Sequence, residues 1–148
     1  MSGQPSYLGV VTARWVAALK SSDSLERRLA AHALAEIGRM AREAVPPLTE
    51  ALRDSEGFVR VWAAAALARV EPEHPDVIPA LVAGTRDGIS FVRSLAAWHL
   101  GRLGPRHPGI EVACRTCANC STTTTRACAP RRWWRSRTSR ARAHRLQN

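Results

Sequence analysis

Apolar residues recur along this chain at helical spacing, in three blocks that repeat one pattern. Val59, Ala63, Ala66, Leu67 and Val70 make one stripe, Val92, Ala96, His99, Leu100 and Leu103 the next, and Leu29 through Ile37 belong to the first. Side chains three and four positions apart share a helix face, so each block predicts an amphipathic helix. Polar turns stand before them: Ser22-Asp23-Ser24, Asp54-Ser55-Glu56-Gly57 and Asp87-Gly88-Ile89-Ser90. Each long helix also has a shorter apolar helix ahead of it, roughly Val10 to Leu19, then Val45 to Leu52 and Val77 to Val82. Pro46 and Pro79 hold equivalent places in two of these. Proline lacks an N–H, which costs nothing in the first helical turn, so the pair marks where those helices begin. Gly38 and Gly104 follow the stripes as C-terminal stops.

The blocks keep a constant offset of 33 residues, which aligns Arg27, Arg60 and Arg93, Ala30, Ala63 and Ala96, and Leu34, Leu67 and Leu100. That period marks arrays of helical hairpins. Paired alanines let neighbouring second helices approach closely, while Leu and Val contact the first helix of their own hairpin. One hairpin cannot bury its apolar face alone, so the units must stack.

The pattern of Asp54, Val59-Arg60, Ala63-Ala64, Ala66-Leu67 and Val70, repeated at Asp87, Val92-Arg93, Ala96-Ala97 and Leu100, resembles short HEAT repeats, particularly the phycobilisome-lyase type. The resemblance runs from about Val10 to Val112; the ankyrin and tetratricopeptide signatures are missing. It implies an all-α, right-handed α-solenoid of about three stacked hairpins over residues 1–113, followed by a largely disordered tail, 114–148. By the same resemblance the function is a non-catalytic protein-protein interaction scaffold with a protein partner. The alternative it raises is a bilin-lyase-like or hydroxylase-like accessory enzyme. Iron-dependent hydroxylases built from such repeats ligate metal through His-Glu pairs, whereas His32, His74, His99 and His107 precede Ala33, Pro75, Leu100 and Pro108. No residue independently supports chromophore attachment. No catalytic residue, metal ligand or cofactor is therefore expected.

Composition changes this picture only at the C-terminal end. The formal charge is +10, but residues 1–113 hold 13 basic and 12 acidic residues, and the other nine arginines all follow. Cys114, Cys117, Cys120 and Cys128 lie in the same segment, so no disulfide framework holds the repeats. Thiolates are suitable ligands for zinc or an iron–sulfur cluster, and the first three spacings resemble a cluster-binding run, but Cys128 is too distant for the ferredoxin pattern. Trp133-Trp134 among arginines can be read as stacking groups in a nucleic-acid binder. A third reading covers more of the segment. Plausible codons for Cys114 through Ser136, read from their third bases, yield Pro-Asp-Leu-Arg-Glu-Leu-Leu-Asp-Asp-Asp-Asp-Pro-Arg-Val-Arg-Ala-Ala-Ala-Val-Val-Ala-Leu, another unit of the same kind. On that reading the tail is frameshifted, and the third hairpin exposes an uncapped side around Leu95, Leu100 and Leu103 that favours self-association. The chain has no apolar run of bilayer length and no signal-peptide pattern, which gives a cytoplasmic expectation with no membrane partner.

Candidate contact residues come from the rest of the helical wheel. Arg28 and His32 correspond to Val61 and Ala65 in the second unit and to Ser94 and Trp98 in the third, and Arg102 extends that face. Trp98, Arg28, His32, Val61 and Arg102 are the expected partner contacts, with Trp98 either an anchor or a cover for the terminal hairpin. The repeated pairs Asp54/Arg60 and Asp87/Arg93 are expected to be structural, Asp accepting backbone N–H groups and Arg tying units together. His99 is expected to be a hydrogen-bonded packing residue.

Overall fold

The computed structural model describes residues 6–103. Six helices follow a short antiparallel ribbon: β1 (Ser6–Tyr7), β2 (Val10–Val11), α1 (Thr12–Ala18), α2 (Ser24–Ile37), α3 (Val45–Ala51), α4 (Gly57–Val70), α5 (Val77–Gly84) and α6 (Ser90–Leu103). The helices pair as α1/α2, α3/α4 and α5/α6, an all-α helical repeat in which α4 is the middle member and packs on α2, α3, α5 and α6. The expected first helix begins later than Val10, because Leu8 and Gly9 both adopt positive φ and turn the chain back so that Val10 pairs with Tyr7. Gly38 ends α2 at φ 61°, a left-handed value that costs glycine little. Gly104 and the whole of 114–148, with its metal, nucleic-acid and frameshift readings, lie outside the described residues.

The core is built mostly from alanines between second helices and branched residues against first helices. Ala30, Ala31, Ala63, Ala64 and Ala96 are fully buried, as are Leu34, Leu67, Leu48 and Leu81. In the third unit the apolar stripe is covered by α5 of its own hairpin, contrary to the exposed side expected there. Leu100 is buried and Leu95 and Leu103 are partly buried, whereas Ile89 of the turn and Phe91 and Trp98 of α6 are exposed.

One polar clasp recurs at both junctions between units. Arg27 donates through Nη1 to the carbonyls of Ser21 and Ser22, and through Nε and Nη2 to Asp54 of the next unit at 2.6 and 2.9 Å. Arg60 repeats it, donating to the carbonyls of Asp54 and Ser55 and to Asp87 at 2.6 Å. Each aspartate also accepts the amide two residues on, from Glu56 and Ile89 respectively, so the same carboxylate shapes its turn and joins two units. The hydrogen bond from Arg27 is the main cause that holds the Asp54 carboxyl below its ordinary value of 3.8, against the opposing effect of burial.

Asp54→Asn keeps Oδ1 for the Glu56 amide while removing the charge and the acceptor that Arg27 Nε uses. After allowance for solvent screening at this half-open edge, it is expected to cost about 1–2 kcal/mol at neutral pH. A lowered carboxyl pKa contributes stability above the ordinary carboxylate range and loses it as pH falls through the folded value. Urea titrations from pH 7 downward should therefore show the two proteins converging in acid; a gap independent of pH would assign the loss to shape rather than charge.

Candidate functional site

The second helices present a shared face because α2, α4 and α6 stack side by side in one register. Near their C-terminal ends this face holds a cleft of about 190 Å³, bordered by Glu36, Trp62, Arg69, Trp98, His99 and Arg102 among others. Small-molecule sites are typically about 300–1,000 Å³, so the cleft suits a side chain of a larger partner better than a whole cofactor. Its floor is lined by Ala35, Ala65, Ala68 and Leu81. Small residues there bring the aromatic walls within reach of one another.

Those walls form a row of edge-to-face rings across the repeats. His32 meets Trp62 at 4.4 Å between centroids and 86°, Trp62 meets His99 at 5.1 Å and 76°, and His99 meets Trp98 at 4.8 Å and 80°. Tyr7 from β1 extends the row to His32 at 6.1 Å. Such pairs set the positive ring edge against a negative face and contribute about 0.5–1.5 kcal/mol each beyond burial. The row thus ties the leading ribbon to all three second helices while leaving Trp98 half exposed.

The charges along the cleft are unequal. Glu36, Arg69 and Arg102 occupy the same repeat position. Arg69 donates to Glu36 at 2.9 Å in an exposed pair, an arrangement that contributes little to stability. The Arg102 guanidinium instead lies 4.7 Å from the centre of the Trp98 ring, with no acidic partner among the described residues. A cation held on an aromatic face at the mouth of an apolar cleft is suited to a carboxylate.

The structure brings only some of the expected contacts together. Trp98 and Arg102 border the cleft, and His32 stands behind Trp62 in the ring row. Arg28 lies elsewhere, stacked on Phe58 at 5.3 Å. Val61 is fully buried, with Gly84 of α5 packed close to it, so it is closed to a partner. The reason is that a middle unit is covered by the hairpin that follows, which no helical wheel of one helix can show. Trp62, Glu36 and Arg69 went unread, although the last two share their repeat position with Arg102. Trp62 was masked by its place in the stripe, where the other units carry Leu29 and Leu95.

His99 differs from expectation as well. Its Nε2 is buried without a hydrogen-bond partner among the described residues, and the ring is held by Trp62 and Trp98. Burial, then Arg102, Arg69 and His32, push its pKa from 6.5 down to about 4. Between those values the unfolded chain holds more protons than the fold. Stability from this group is therefore complete above about pH 6.5 and declines as pH falls towards 4. Thermal melts of the native chain should lose stability across that window more steeply than His99→Phe, which keeps a ring and removes the titration; parallel losses would place the titrating group elsewhere.

The sequence profile of HEAT repeats matches residues 12–101. No curated protein matches the chain. The matched span contains all six helices except the final residues of α6.

Proposed function

The chain belongs to the HEAT-repeat family, and from that footing we propose that it is a non-catalytic scaffold whose second-helix cleft grips a segment of a protein partner. Proteins of this family generally mediate protein–protein interactions, and among the described residues no helix is long and apolar enough to cross a membrane. One observation carries the finer reading: a half-exposed Trp98 with Arg102 on its ring at the open side of an apolar cleft. Aromatic and Arg anchors beside small pockets carry most of the energy in protein interfaces. The matching segment is an apolar side chain for the cleft with an acidic residue next to it for Arg102. Carboxylate recognition by a guanidinium fixes orientation as well as adding affinity.

The non-catalytic part of the proposal draws on sequence. None of the described histidines precedes a glutamate, and His99, the one set in the cleft, is depressed in pKa and enclosed by rings. The test uses short peptides that pair Leu or Phe with Glu, against twins carrying Lys in place of Glu. The acidic peptides are expected to bind, and Trp98→Ala or Arg102→Glu to weaken them at least about tenfold, Arg102→Glu with little change in melting temperature and Trp98→Ala with a drop of a few degrees as its contact with His99 is lost. Unchanged binding with a lower melting temperature would return Trp98 to a packing role; equal binding of the Lys twins would remove Arg102 from the site.

A further inference from the structure

The clasp between units gives the array a direction. Arg27 and Arg60 each use Nη1 on their own turn and reach the aspartate of the following unit, Arg27 through Nε and Nη2 and Arg60 through Nη2. Arg93 makes the first half of this arrangement, donating through Nη1 to the carbonyls of Asp87 and Gly88 at 3.0 Å each. Among the described residues no carboxylate meets its remaining nitrogens. The opposite end of the array is different. One repeat before Asp54 stands Ser21, whose hydroxyl keeps the turn by accepting the Asp23 amide at 3.2 Å but offers no carboxylate. The ribbon β1–β2 also packs against α1 and α2 at that end.

Burial follows the same direction. Val61, Ala64 and Ala65 of α4 are covered by the third unit. Their counterparts Ser94 and Trp98 of α6 are exposed, Ala97 is partly so, and Phe91 is exposed where Phe58 is partly covered. The exposed surface thus continues an interface that the chain already forms twice, down to an arginine whose clasp is only half made among the described residues.

We infer that the α6 end is a docking face for a helical hairpin of a partner repeat protein, whose leading turn presents an aspartate to Arg93. Residues 104–148 place no carboxylate at the register position. Their single acidic side chain, Glu111, falls nine positions before residue 120, where one repeat after Asp87 the sequence has Cys120. A second copy of this chain is a poor occupant, since its leading turn carries Ser21 and its own α6 end would set Arg93 against Arg93. This face overlaps the acidic-peptide cleft at Trp98 but differs in what it requires: it needs a folded hairpin in register, and it pairs Arg93 rather than Arg102 with a carboxylate.

The test inserts a copy of residues 71–103 after Leu103 of the full chain, which places the copied aspartate at the register position. The melting temperature is expected to rise by roughly 5 °C or more. Changing the copied Asp87 to Asn, or Arg93→Gln, should each remove a large part of the rise, and the two losses should not add. No rise, or a rise indifferent to both changes, overturns the inference. Sedimentation of the native chain adds a second arm: an Arg93-dependent dimer would give the face to a second copy and likewise overturn it, and no such dimer is expected.

Discussion

Truncating Leu67 to alanine is expected to destabilise the protein by about 3 kcal/mol, which for a domain of this size lowers the melting temperature by roughly 12–20 °C. Leu67 is fully buried in α4, the helix that contacts both first helices around it and both neighbouring second helices. Removing its branched end leaves a cavity that surrounding helices can fill only by shifting toward one another. The alanines between α2 and α4 are already fully buried, so little further approach is available and the cavity stays open. In a linear array a fault in the middle also weakens both interfaces at once. Leu100→Ala supplies the control, since Leu100 has the same repeat position but is 8% exposed in the last unit and borders one interface. Urea unfolding followed by helical circular dichroism should rank Leu67→Ala well above Leu100→Ala. Equal losses would mean that the units unfold independently.

Gly84→Val is expected to cost a comparable amount, about 3 kcal/mol from overpacking. A Cβ at this position would stand 2.8 Å from Val61 Cγ2 and 2.9 Å from the Ala96 Cβ, wedged between α4 and α6. Neither neighbour can swing away: valine is stiff at χ1, and the alanine methyl moves only with its backbone. The informative variant is the smaller Gly84→Ala. Helix propensity alone favours alanine by about 1 kcal/mol, so a measured loss demonstrates that close approach of the helices outweighs propensity. Ala96→Gly in the Gly84→Ala background should recover part of the loss by relieving one of the two contacts. A stabilised Gly84→Ala would disprove this account of why α5 ends in glycine.

Much of this architecture is legible without coordinates, and the reasons are local. The helical stripes at Val59 to Val70 and Val92 to Leu103, the prolines near the starts of α3 and α5 and the glycine that ends α2 each act within a few residues of themselves. A repeated sequence also places equivalent residues in equivalent surroundings. The first helix is the exception, since the apolar character of Val10 suits a helix start but Val10 joins a ribbon instead. Two left-handed residues at Leu8 and Gly9 decide that, and their effect depends on pairing across the turn.

The cleft was legible only in part. Trp98 and Arg102 stand out by position and chemistry, yet Val61 shares its wheel position with the partly exposed Arg28 and the exposed Ser94 and is buried. His99 carried an expectation of hydrogen bonding that its ring contacts replaced. Both outcomes depend on which helix lies alongside, a relation between units rather than a property of one.

By itself the sequence determined that this chain forms stacked helical hairpins, because helix periodicity, turn chemistry and a constant 33-residue offset are written in order along it. Tertiary structure alone decided which face of each helix is covered, that Arg27 and Arg60 reach forward to the next unit's aspartate, and that rings from three units meet in one row. The physical reason is that side-chain burial and ring geometry depend on the distance and rotation between helices, which are set by the summed packing of alanines and glycines whose spacing marks the repeat but not the angle at which helices meet.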